Sequence, residues 1–507
     1  MNFKQVSKDS IVVSAISNWA TLIIQTLIGL ALTPFLINYL GENGYGSWIA
    51  IISVWGYFGI ITTGIGSSVI RYIAKYKAQE DVFSLNKVVN SSFFLVSLFA
   101  LMMIPVSYLG GGVFAIFFKI KTSGHDDFIK AFFYMGMATV IMFYVANLKS
   151  VAHGFEFFKD LNVMESVYHI IRASLIYFLL RKGLGLIGIA YANLLGYGFF
   201  LAMIVWFFKF NIRDIAFKIK YISKNEIWSL MSYSGGSLLI SFANILRFNL
   251  DNLIIARLVN MEMVAVYSIG AALINYIAQF IIMGFGILMP RFTSLIAVKG
   301  DSEVQTLLLK SLFISSFLSV MMSTVSVVMV DDFLAWWLKK EFIQSATIFY
   351  ILIFSFSVSL AGFPGISLFY AKNKHLTFAK MTLVEAMINF ALSIILVMKI
   401  GFIGAAISTA ITLLLSKLFI QPYFVCKMAN IPMVDYYKQI VTPYFAGGVI
   451  VIVAFYSGFL GENICSFPFM VMGGLILMAA YYWLMWLLLI LCKSPNACLI
   501  KFWNFKK

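Results

Sequence analysis

The residues of this chain able to do chemistry sit where charge is expensive. Between positions 229 and 257 a run of apolar residues is interrupted by Ser237, Ser241, Asn244, Arg247, Asp251 and Asn252. At 3.6 residues per turn these six fall within about 140° of one helical face. Arg247 and Asp251 are i,i+4 neighbours and can pair. A guanidinium held this way suits phosphate oxygens through its planar fork. Two accounts fit: a hydrated cavity that receives an anion, or an ion pair that joins helices. Further along, Glu165, His169 and Arg172 share one face at i, i+4 and i+7, and Thr382, Glu385 and Asn389 do likewise. Asp251, Glu385 and His169 are the groups able to exchange protons inside apolar segments, unless neighbours simply satisfy them. Near the N-terminus, Ser14, Ser17, Asn18, Thr21 and Gln25 cover about 100° of a helix. Helix–helix hydrogen bonding accounts for its Ser and Thr residues taken singly.

The elements that carry these groups follow from composition. Of 507 residues, 62% are hydrophobic and 11% charged, and the mean hydropathy is +0.93. Soluble chains hold roughly 25% charged residues, so a soluble enzyme, a disordered chain and a disulfide scaffold are excluded. A helix needs about 20 mostly apolar residues to cross a bilayer. Fourteen segments qualify: 11–39, 46–70, 88–110, 129–149, 164–181, 184–208, 229–257, 262–290, 309–330, 344–370, 380–399, 402–425, 440–460 and 467–492. The N-terminus runs into the first of them without an AxA-like cleavage site and reads as an uncleaved span. Proline and glycine at Pro34, Pro105 and Gly362-Phe363-Pro364-Gly365 mark kinks.

The 37 basic residues against 21 acidic ones give a net charge of +16. With the N-terminus in the cytoplasm, 25 of the 37 fall in inner segments, nine in outer loops and three (Arg172, Arg247, Lys417) within spans. That bias puts both termini inside and explains the charge without nucleic acid. No loop is large enough to fold alone, so activity must sit within the bundle or at its rim.

The chain repeats itself. GIGSSVIRY at 64–72 matches GFGILMPRF at 284–292, which aligns Arg71 with Arg291 at an offset of 220. GLIGIA at 185–190 matches GFIGAA at 401–406 at an offset of 216, which sets His169 opposite Glu385. Duplication of a six-span unit follows, with both halves in one orientation. The expected fold is an all-α polytopic membrane protein of about fourteen transmembrane helices. Two pseudo-twofold six-helix bundles (1–210 and 211–426) surround a central cavity, and 427–507 adds two helices and a cytoplasmic tail.

Several chemistries are missing. There is no GxxxxGK[ST] for nucleotide hydrolysis and no HExxH or other zinc spacing. Cys426, Cys465, Cys492 and Cys498 form no CxxC pair. No metal, cofactor or catalytic residue is expected.

The stretches LTPFLINYLGENGYGSWIAI, GIGSSVIRYIAKY, NLDNLIIARLVNMEMVAVYSIG and EAMINFALSIILVMKIGFIGAAISTAI resemble the Wzx-type polysaccharide-unit flippases of the MATE-like superfamily, over essentially the whole length. One departure stands before Gly64: members often carry an acid in an LDLG-like turn, where this chain has Ile61-Thr62-Thr63. The resemblance implies transfer of an undecaprenyl-diphosphate-linked oligosaccharide, an O-antigen-like unit, from the cytoplasmic to the outer leaflet of a bacterial inner membrane. On that basis Arg247, with Arg172 second, meets the diphosphate, Asp251 holds Arg247, and Asn244 bonds sugar hydroxyls. Arg71 and Arg291 form an entry ring or serve only as topology anchors. The partners implied are the lipid-linked sugar, the bilayer and other glycan-assembly membrane proteins, around a monomer. The rivals are a multidrug or organic-cation antiporter, which calls for acidic cavity residues, and a glycan polymerase or ligase, which calls for a large outer loop.

Overall fold

A computed structural model describes residues 11–120, 122–212, 215–298, 301–338, 342–456 and 467–491. Sixteen α-helices follow one another: α1 (Ile11–Ala78), α2 (Val82–Phe117), α3 (Thr122–Gly154), α4 (Phe158–Arg181), α5 (Gly185–Asn211), α6 (Lys224–Leu258), α7 (Met261–Phe285) and α8 (Leu288–Val298), then α9 (Asp301–Leu338), α10 (Gln344–Ala361), α11 (Phe363–Ala371), α12 (His375–Ile400), α13 (Ile403–Leu415), α14 (Gln421–Ala429), α15 (Met433–Tyr456) and α16 (Phe467–Leu491). A five-residue π-helical turn, Ser416–Ile420, joins α13 to α14.

Among the described residues, twelve helical stretches are long and apolar enough to cross a membrane. The first of them, Ile16–Ala78, would measure roughly 95 Å at 1.5 Å per residue, about three hydrocarbon thicknesses. It is broken at Gly41, whose φ of 67° and ψ of 176° lie where only glycine rests without strain. It is therefore two passes. With α6, which is 35 residues long and outside the twelve, each of the fourteen spans read from the sequence is carried by helix over its described residues. The tenth is divided where the Gly-Phe-Pro-Gly run predicts a kink: α10 stops at Ala361 and Pro364 opens α11. Pro34 and Pro105 lie inside α1 and α2. Asp81 caps α2, accepting a hydrogen bond from the Ser84 backbone N–H at 2.9 Å. Hydrogen bonds from Ser84 hold the Asp81 carboxyl below the usual carboxylate range.

By packing, the chain divides into Met1–Ala265 and Val266–Lys507. In the first unit α3 packs along α5, and α6 along α1. The Trp55 ring is buried against Phe132, with centroids 5.0 Å apart. Gly46 lets α1 lie directly on the backbone of Met261, since a Cβ there would come 1.8 Å from its carbonyl oxygen. In the second unit α9 is the shared wall. One cluster on it contains Phe292, Leu308, Phe369 and Tyr436, and the other contains Phe313, Ala446, Tyr481 and Met485 of α9, α15 and α16. Lipid is as apolar as these side chains, so close packing rather than water release supplies the attraction.

The repeat seen in the sequence recurs as local geometry. The hairpins α4–α5 and α12–α13 turn on Gly185 and Gly401, both at positive φ (48° and 71°), and three residues on each has a glycine pressed on the preceding helix. A Cβ on Gly404 would sit 2.4 Å from the Leu396 carbonyl carbon. Gly404→Ala is therefore expected to destabilise the purified protein by about 1–3 kcal/mol. Gly112→Ala, which meets nothing within 4 Å, should leave the melting temperature unchanged or raised. Equal melting temperatures for the two variants would refute the close-approach account.

Candidate functional site

In the first unit the polar groups converge on α4. Its periodicity brings Asn162, Glu165, Ser166, His169 and Arg172 toward α1, α3 and α5. Asn162 Nδ2 donates to Asn18 Oδ1 and, at 2.8 Å, to Ser17 Oγ. Thr21 Oγ1 donates to the Asn162 carbonyl at 3.1 Å and lies 3.0 Å from Ser166 Oγ. Ser17, Asn18 and Thr21 of the N-terminal stripe thus join α1 to α4. Glu165, which the sequence leaves at a span end, is paired with Lys149 of α3 at 2.8 Å. His169 is buried against the Tyr168 ring, with its Nδ1 unpartnered among the described residues.

Arg172 is different. It is half-buried, lies roughly 14 Å of helix rise from the end of α4, and its Nη1 donates to Asn193 Oδ1 of α5 at 3.4 Å. The guanidinium carbon lies 5.7 Å from the Tyr168 ring centroid, and Nε is buried without a partner. No carboxylate among the described residues pairs with it. A cation this deep in an apolar helix normally faces a cavity or a polar partner.

α6 lies along the second arm of α1. Asn252 Nδ2 donates to Ser53 Oγ at 3.2 Å, and Ser234 and Ser68 hydroxyls meet at 3.0 Å. Asp251 is 2% exposed. The side chains of Ser237, Ser241, Asn244 and Arg247 lie outside the described residues, though their backbone is helical. Arg71 is exposed near the C-terminal end of α1, its guanidinium 4.3 Å over the Tyr233 ring of α6. Arg291, its repeat partner, is exposed on α8.

In the second unit Glu385, Asn389 and Ser393 line α12. Glu385 lies 3.5 Å from Lys417, and the two side chains are 3% and 2% exposed. Lys417 stands on the π turn with its ammonium 5.4 Å from the Phe378 ring. Asn389 Oδ1 accepts from Ser408 Oγ at 2.5 Å and from Thr409 Oγ1 at 3.3 Å, while Ser393 and Ser408 share a short hydrogen bond. Gln421 Nε2 donates to the Gly362 carbonyl at 2.8 Å, closing the gap between α10 and α11. Sequence reasoning counted Lys417 as a basic residue within a span but gave it no partner. The available signal was the coincidence of one acid and one base in adjacent spans of a tight hairpin. Repeat-equivalent His169 and Glu385 are both buried, and Asn193 and Thr409, also 216 apart, each meet a polar group of the preceding helix. The two networks are local to their own units.

Residues 11–296 match the family of polysaccharide biosynthesis proteins. The putative O-antigen transporter of Shigella flexneri is 22% identical over 418 residues, which is 81% of this chain and 97% of that protein. The uncharacterized membrane protein EpsK of Bacillus subtilis (strain 168) is 21% identical over 451 residues, covering 84% and 85%. Among solved structures, the inward closed conformation of the lipid II flippase MurJ superposes with a TM-score of 0.72 at 15% identity, covering 95% of this chain and 100% of that one. An inward-facing multidrug resistance MATE family transporter of the MOP superfamily gives 0.69 at 14% identity, covering 82% and 99%. The protein is thus a multi-pass membrane protein with the fold of MOP-superfamily transporters. With the family match spanning more than half its length, the chain belongs to the polysaccharide biosynthesis protein family.

Proposed function

We propose that this protein moves an undecaprenyl-diphosphate-linked oligosaccharide repeat unit from the cytoplasmic to the outer leaflet, for a surface polysaccharide of the O-antigen kind. The observation that carries the reading is Arg172, a guanidinium inside an apolar helix with a neutral amide and an aromatic ring as its neighbours. A diphosphate and a string of hydroxyls cannot enter hydrocarbon unaided, whereas a prenyl tail stays in lipid. A cationic path therefore shields the head while the tail slides outside. Arg247 joins Arg172 on that path, Asp251 one turn on orients Arg247, and Asn244 bonds sugar hydroxyls. Arg71 and Arg291 attract the head at the cytoplasmic ends of their helices. The 25-to-9 division of basic residues supports both termini in the cytoplasm of a bacterial inner membrane. The segments 1–210 and 211–426 are the halves whose rocking alternates access.

Export of organic cations is the less favoured reading. Such cargo needs carboxylates to spare, and Glu165 and Glu385 are each occupied by a lysine. Transport rather than bond making is the reading for a chain whose matched relatives include a putative O-antigen transporter.

Deleting the gene is expected to make lipid-linked repeat units accumulate on the cytoplasmic face while surface polysaccharide disappears. Protease-free spheroplasts probed with a membrane-impermeant glycan-oxidising reagent measure the sidedness. Single units exported but not polymerised would overturn the flippase reading in favour of a polymerase.

A further inference from the structure

We propose that the linker between α5 and α6, with the groove beside it, is a binding site for one anionic phospholipid of the surrounding bilayer. Its described part, 215–223, is built rather than slack. Asn86 and Asn90, one turn apart on α2, take hold of its backbone. Ala216 N–H donates to Asn86 Oδ1 at 2.7 Å, and Lys218 N–H to Asn90 Oδ1 at 2.9 Å. Asn90 Nδ2 returns a bond to the Ala216 carbonyl at 2.9 Å, and Ser223 N–H reaches Ser91 Oγ at 3.0 Å. Two side-chain amides thus imitate a neighbouring strand for an extended segment, where Lys218 has φ −142° and ψ 132°. With alternate backbone groups turned to α2, Phe217 and Ile219 are left 57% and 86% exposed.

Between this strap and the helices lies a cavity of about 340 Å³. Leu148 of α3, Val205 and Phe208 of α5, and Ile212, Ile215 and Phe217 of the strap make its apolar wall, and Lys209 is its charged lining residue. Lys209 lines it, and Lys218, Lys220 and Lys224 follow along the strap and the start of α6; all four are exposed, and none pairs with a carboxylate among the described residues. Trp206, Phe210 and Trp228 are exposed beside them, as interfacial aromatics are at the headgroup level of a bilayer. An apolar cleft sized for a single chain, opening onto unmatched ammonium groups, fits a lipid whose acyl chain enters the cleft and whose phosphate meets Lys209 and Lys218. A zwitterionic lipid fills the cleft equally well but leaves the ammonium groups without net counter-charge. A lipid seated here pins the strap, and the site is independent of the cargo.

The test uses the full-length protein in phosphatidylcholine nanodiscs with phosphatidylglycerol carrying a diazirine in one acyl chain. Irradiation, digestion and mass spectrometry locate the label. Labelling is expected on peptides covering Val205–Phe217, at least about fivefold above that from a phosphatidylcholine probe, and to fall about fivefold for each of Lys209→Gln and Lys218→Gln. Both lysines are exposed, so folding is retained. Val205→Trp, at an exposed position on the rim, should fill the cleft and remove the acyl-chain label without touching a charge. Equal labelling by the two probes would overturn the proposal and leave ordinary annular contact. Displacement of the label by undecaprenyl phosphate, but not by excess phosphatidylglycerol, would overturn it in favour of the substrate's own tail.

Discussion

Arg172→Ala is expected to reduce surface polysaccharide at least tenfold without lowering the amount of protein in the membrane. Charge-assisted hydrogen bonds are each worth about 1.5–3 kcal/mol, so losing even one bond of a fork to a diphosphate weakens the occupied state by roughly ten- to a hundredfold. Arg172→Lys should recover only part of the loss, because an ammonium keeps the charge but not the bidentate geometry. Stability separates this role from a structural one. Arg172 gives up solvation and makes one long hydrogen bond in return, its Nη1 donating to Asn193 Oδ1 at 3.4 Å. Removing it should leave the melting temperature unchanged or higher. A variant that melts early and loses function by misfolding would instead make Arg172 a structural residue. Normal surface polysaccharide in a stable Arg172→Ala strain would remove it from the head-group path.

The second large effect belongs to Glu385 and Lys417. Each single truncation, Lys417→Met or Glu385→Leu, strands a charge in a site where the pair is 2–3% exposed, at a cost of about 3–5 kcal/mol. The double variant strands nothing, and replacing a buried pair by apolar residues is often neutral or stabilising. The expected pattern is two unstable singles and a double that melts like the wild type, a coupling of several kcal/mol in a double-mutant cycle. Additive singles and double would mean the charges do not depend on each other. The double variant also decides whether Glu385 couples transport to protons. A stable double that still delivers surface polysaccharide makes the pair architecture, and a stable double that does not makes Glu385 part of the coupling.

The spans were legible because hydrocarbon imposes a length and a composition that no loop can imitate. So was the kink at Gly362-Phe363-Pro364-Gly365, where backbone chemistry leaves little choice. The hairpin repeat was legible from six residues, since Gly185 and Gly401 are glycines for the same conformational reason. What the sequence did not carry was the address of each polar group. Ser17, Asn18 and Thr21 were readable as a stripe, but that the stripe is answered by Asn162 and Ser166 depends on which helix lies beside α1. Lys149 and Lys417 were readable as charges, yet their value comes from Glu165 and Glu385 on neighbouring helices. Periodicity gives the face a residue occupies and is silent about who stands opposite. The π turn was invisible altogether, because nothing in Ser416–Ile420 departs from ordinary helical composition.

That turn sets the phase of its helix. Each residue advances an α-helix by about 100°, and a π turn holds one residue more than the α ladder would. Everything after Ile420 is therefore clocked round relative to α13. Lys417 can address Glu385 on one side while Gln421, only four positions later, bridges the break between α10 and α11 on another. Excising a single residue from the turn would restore a regular ladder and rotate α14 by about one residue's worth of angle. Either the ion pair or the amide bridge would then be lost. The twelfth span thus works as a two-toothed key, and the irregular turn is the cut that lets both teeth engage.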